Sequence, residues 1–136
     1  MDNRIRWGRI VVGAVLLEAI LLVMAAPLMA NVANPFVATG GASGDFTIFF
    51  VSVAVACFVV GALCGAWVAR PLSSQFALHG TLTGIVATAI YLAMCSIPPT
   101  TVATVFAAYG PFWFLGANGL RILGSALGAA YLGRRR

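Results

Sequence analysis

Glu18, His79, Asn118, Arg121 and Ser125 are the side chains of this 136-residue sequence whose types and positions invite chemistry. Glu18 lies nine residues beyond Arg9 in an apolar stretch, about 13 Å along a helix rising 1.5 Å per residue. An acid at that depth costs about 2.5–3.5 kcal/mol to insert into hydrocarbon, so it must face a partner, a cavity or water. Arg121 lies thirteen residues before Arg134, about 20 Å along the helix by the same rise. Asn118 and Ser125 stand at i−3 and i+4 from it, so the three share one helix face. A guanidinium keeps its proton and needs a carboxylate, carbonyls or water. Glu18 is the one acid within an apolar segment. The two depths differ by about 6 Å, which an arginine side chain spans, so a Glu18–Arg121 pair is expected. A firm pair acts as a structural lock. A Glu18 that carries protons or cations must change its charge during a cycle, and the pair must then open.

His79 stands near Arg70, with Thr83 four residues on. A lone histidine there can relay protons or hold a headgroup, but the commoner outcome at an interface is plain solvation. The single histidine excludes a bis-histidine haem within one copy. The cysteine and histidine spacing offers no zinc site. Cys57 and Cys64 are seven residues apart on one helix, about 10 Å along its axis, too far for a disulfide. With Cys95 they read as small apolar packing residues. There is no Gly-x-Gly-x-x-Gly, Walker loop, Gly-x-Ser-x-Gly or His-Glu-x-x-His. No catalytic residue, metal or cofactor is expected, and the chain reads as a non-enzyme.

The elements that must hold these residues follow from composition. Hydrophobic residues make up 62% and charged residues 8%, with a mean hydropathy of +1.03. A soluble domain is about 25% charged. Residues 19–44, 46–69 and 71–120 carry no charge at all, so lipid is the expected solvent. The net charge of +5 comes entirely from arginine. Because those arginines flank apolar segments, they indicate topology and anionic headgroups, and nucleic acid is not an expected partner.

The expected fold is a single all-α domain over residues 1–136, a bundle of four transmembrane helices near 10–29, 46–69, 76–97 and 111–132. The first apolar stretch exceeds a signal peptide's usual core and lacks a good cleavage site, so it reads as a retained helix. Residues 31–45, with two Asn, a Pro and three Gly, read as an outer loop. Arg70-Pro71 ends the second span and Pro98-Pro99 the third. The fourth starts most simply at Pro111, a favoured first helical position. Residues 100–109 then form a short interfacial helix or a kinked extension. The competing division sets the span at 101–120 and lays 121–136 on the surface. With both termini inside, the inner regions hold Arg4, Arg6, Arg9, Arg70, Arg134, Arg135 and Arg136, and the outer loops hold no Lys or Arg. That bias gives an inner-membrane, N-in/C-in orientation.

Gly61-x-x-x-Gly65 and Gly124-x-x-x-Gly128 permit close helix approach, within one bundle or between copies. Gly61-Ala-Leu-Cys-Gly65-Ala66 and Gly124-Ser-Ala-Leu-Gly128-Ala129 also echo one another, as a parallel repeat of two hairpins would. One further likeness covers a single helix: Gly13-Ala14-Val15-Leu16-Leu17-Glu18 resembles the first-helix signature of small multidrug-resistance transporters. Those are four-helix proteins of this size with an essential membrane glutamate. The resemblance implies a transport role for Glu18 alone. The central Arg121, the long 31–45 segment and the third helix depart from that family's pattern. The leading expectation is a structural or accessory membrane subunit, self-associating or bound to a larger complex. An oligomeric transporter or channel using Glu18 is the alternative.

Overall fold

A computed structural model describes residues 5–38, 47–72, 74–98 and 101–132, with the backbone alone described for 26–38, 47–48, 108 and 132. Every element among them is an α-helix: α1 Trp7–Ala38, α2 Thr47–Ala69, α3 Phe76–Cys95 and α4 Val102–Leu132. Arg4, Arg134, Arg135 and Arg136 lie outside the described residues.

Three helices contain segments long and apolar enough to cross a membrane: Trp7–Ala25, Phe49–Ala69 and Phe76–Cys95. The fourth expected span does not reach that standard, because Asn118 and Arg121 sit in its middle and glycine fills much of the rest. Burial runs opposite to that of a water-soluble fold. Val23, Leu63, Leu115 and many other large aliphatic side chains are exposed, while Glu18, His79, Thr83, Arg121 and Ser125 are buried. A soluble monomer seldom exposes an apolar patch beyond a few hundred Å². This distribution belongs to a membrane protein.

Two element boundaries depart from expectation. The 31–45 segment does not start as a loop: α1 continues past Pro27 and Pro35 to Ala38, and 39–46 lie outside the described residues. The asparagines cost a helix little, whereas each proline removes one hydrogen bond and clashes with the carbonyl four residues back, about 3 kcal/mol, which is offset here by the one hydrogen bond gained for each further residue of an existing helix. The last helix is in fact two. Gly110, at φ 74 and ψ 155, breaks α4 immediately before Pro111. A residue preceding proline is driven out of the helical region, and glycine accepts the positive φ without a Cβ clash. Residues 111–132 then form one continuous helix, with no break near 120. The first piece, 102–109, starts with a reciprocal cap: Thr104 N–H donates to Thr101 Oγ1 at 3.1 Å and Thr101 N–H to Thr104 Oγ1 at 2.9 Å.

Glycine sets the arrangement. A Cβ on Gly61 or Gly65 of α2 would run into the α4 backbone at Arg121 and Ser125, and one on Gly124 or Gly128 of α4 would strike Phe58 and Ala62 of α2. The two expected motifs therefore pack against each other within one bundle, in parallel. On the other side of α4, Gly80 and Gly84 of α3 abut Ser125 and Ile122. Helix α4 thus lies in a groove between α2 and α3. Helix α1 covers their opposite side, where Gly13 seats against Val68 and Thr83. Among the described residues, the Cα atoms of α1 and α4 nowhere come within 8 Å of each other.

Candidate functional site

The hub of the bundle is Arg121, which is 4% exposed and makes contact with all three other helices. Its Nε lies 3.2 Å from Oε1 of Glu18 on α1. Its guanidinium sits 4.8 Å above the Tyr91 ring of α3, a cation–π distance. Nη2 approaches Sγ of Cys57 on α2 at 3.9 Å. On its own helix, Nη1 donates to Asn118 Oδ1 at 2.9 Å, and Asn118 Nδ2 donates to the Phe114 carbonyl at 2.8 Å. The i−3 spacing of Asn118 and Arg121 is what brings them together. The bond to Phe114 also fixes which way the amide points, leaving its oxygen for the guanidinium.

The Glu18–Arg121 contact spans the wide diagonal of the bundle, which the backbones do not bridge. It is an ion pair without a hydrogen bond: the Nε–H does not aim at Oε1, and neither atom has a hydrogen-bond partner. Ser125, expected on the same stripe, is fully buried, but its hydroxyl donates to the Arg121 carbonyl at 2.9 Å. It completes the backbone of the hub and does not touch the charge.

His79 is placed elsewhere and is not solvated. It is 2% exposed, accepts from the Arg6 backbone N–H at Nε2 (3.2 Å), and faces the Gln75 carbonyl with Nδ1 at 3.0 Å. With Nε2 accepting, the ring proton sits on Nδ1, and both nitrogens are occupied. The ring is buried because α1 begins directly over it. Gln75, at φ 58, turns its carbonyl toward both the His79 ring and the His79 N–H. Beside this cluster, Arg9 donates to the Trp67 carbonyl at 2.8 Å and stacks 4.4 Å above the Trp67 ring. His79 and Arg9 together tie the start of α1 to the α2–α3 hairpin.

Beyond the hub, toward Gly110, the helices part around a cavity of about 410 Å³. Glu18, Asn118 and Arg121 line it on one side, and Phe50, Tyr109 and Trp113 are among its walls. Phe50 stacks on Trp113 at 5.4 Å and 18°, and meets Tyr109 edge-on at 5.3 Å. A space of this size with aromatic walls and a few convergent polar groups has the character of a small-molecule site.

Several of these partners are not evident from residue type. Cys57 reads as packing, and Tyr91 has no visible link to a charge 30 positions later. Gly80-x-x-x-Gly84 was open to detection, since it is the same signal as the other two glycine pairs. Among the described residues no cluster of His, Cys, Asp and Glu could hold a metal ion. No protein-family model matches the chain, and neither does any curated protein or solved structure.

Proposed function

We propose that this chain is a non-enzymatic, four-span bundle of the bacterial inner membrane, with both termini in the cytoplasm, serving as a structural or accessory subunit. The observation that carries this reading is the hub: one arginine of α4 with a partner on each of α1, α2 and α3. Those partners offset what makes α4 too polar to qualify as a span alone. A buried charge is tolerated in hydrocarbon when it faces the bundle and is paired. The arginine bias supports the orientation. A Glu18 held by Arg121 suits a lock that keeps helices in register, in a bundle that packs against its own copies or a larger membrane complex.

The test has two arms. A reporter fused after Arg136 should be active on the cytoplasmic side, whereas activity on the outer side would remove the fourth span. Native mass measured in mild detergent should exceed that of one chain, through identical copies or foreign partners. A strictly monomeric particle that no cross-linker joins to a neighbour would overturn the subunit role.

A second reading, an oligomeric transporter or channel, draws on one observation: Glu18 borders the cavity. It requires substrate-dependent proton release that Glu18→Gln abolishes.

A further inference from the structure

We infer that the cavity beside the hub is a binding site for an uncharged, lipid-phase molecule with an apolar or ring body and a hydroxyl head, such as a long-chain phenol or alcohol. The chemistry of the floor selects the head. Glu18 and Arg121 present opposite charges 3.2 Å apart, so a cation that approaches the carboxylate also meets the guanidinium, and an anion meets the reverse. Either would enter a low-dielectric space without a free counter-charge, which is costly. A neutral group that both donates and accepts meets no such penalty. Both charged residues are 4% exposed and both line the cavity. Each keeps an atom without a hydrogen bond, Nε–H of Arg121 and Oε1 of Glu18. Both of those atoms are sealed by their neighbours, so the head meets the guanidinium and the carboxylate at their other nitrogen and oxygen atoms, where one hydroxyl accepts from the first and donates to the second. Asn118, held in place by Phe114, fixes the guanidinium from the other side.

The walls select the body. Phe50, Tyr109 and Trp113 form a connected aromatic surface, on which a phenyl ring or an alkyl chain packs. The volume of about 410 Å³ falls within the range of small-molecule sites. This inference does not depend on the subunit role, since a locked bundle and a transporter would both present the cavity.

The test reads Trp113. Purified protein in lipid nanodiscs is titrated with an alkylphenol brominated on its chain, with a brominated fatty acid and with a brominated alkyl trimethylammonium of equal chain length. Trp7 and Trp67 also fluoresce, so the Trp113 share is taken as the difference between the native protein and Trp113→Phe. The phenol should quench that share saturably, at concentrations at least about tenfold lower than either charged probe, because only the charged heads carry the desolvation cost. Ala117→Phe, which fills the cavity from α4, should abolish the saturable phase while the helical circular dichroism stays unchanged. If that variant does not fold, Ala56→Leu makes the same test from α2. Quenching that rises only linearly with probe would overturn the proposal. So would equal or stronger quenching by a charged probe, or a saturable phase that survives filling.

Discussion

The half of the bundle toward Arg70 and the half toward Gly110 contain the same helices packed in two different ways. Toward Arg70, glycines of α2, α3 and α4 meet the facing backbones, and Ser125 is sealed between Gly65 and Gly80. Toward Gly110 the facing residues are Phe50, Tyr109 and Trp113, and a cavity opens among them. The boundary between the two is the level of Glu18 and Arg121. In lipid, apolar side chains gain nothing by leaving one hydrocarbon surroundings for another, so helices associate where their surfaces permit close van der Waals contact and polar pairing. Glycine permits that contact and bulky rings prevent it. The position of the void therefore follows from where the helix-facing glycines stop, since Gly116 and Gly119 of α4 meet no neighbour.

Three substitutions should separate the halves. Gly65→Leu should have the largest effect. Its side chain must displace the Ser125 backbone, and the loss should exceed about 3 kcal/mol, the upper end for overpacking that rotamer changes can relieve. Denaturation in mixed detergent should find little or no folded population. His79→Ala should come next, at about 1–2 kcal/mol, through loss of the bonds to Arg6 and Gln75. The same denaturation curve should shift without broadening, because the glycine seam is untouched. Ala117→Leu should have the smallest effect, under about 1 kcal/mol in either direction, because its added methyl groups enter open space. A large loss for Ala117→Leu, or tolerance of Gly65→Leu, would erase the distinction between the halves.

How much of this was legible depends on how strongly each residue type contrasts with lipid. Glu18 and Arg121 contrast most, and their depths alone were enough to suggest the pair. Two of the three glycine motifs were readable for packing, though not which helix each would meet. The facing of α2 and α3 was not readable. Helix α2 is apolar nearly all round, and the polar residues of α3, His79 and Thr83 against Thr81 and Thr88, fall on opposite sides, so residue type does not distinguish the face bearing Cys57 or Tyr91 from the face against lipid. The burial of His79 was not readable, and solvation was the commoner expectation, because nothing near it in sequence shows that α1 starts above it, 73 residues away. The helix over 31–38 was missed because its Asn and Pro residues were weighed one by one, without the cooperativity of the helix they extend. The cavity was invisible for a related reason: it depends on how far apart whole helices stand and belongs to no single residue.

The central claim is that Glu18 and Arg121 act as one unit across the diagonal of the bundle. The most direct test is a charge swap, measured as stability in mixed detergent. Glu18→Arg and Arg121→Glu should each cost at least about 3–5 kcal/mol, the loss when one partner of a buried pair is removed, because each reversal also sets like charges against each other. The double variant should recover a substantial part of that loss. Double-variant losses equal to the sum of the singles would show that the two charges stand independently, and the account of the hub would fail.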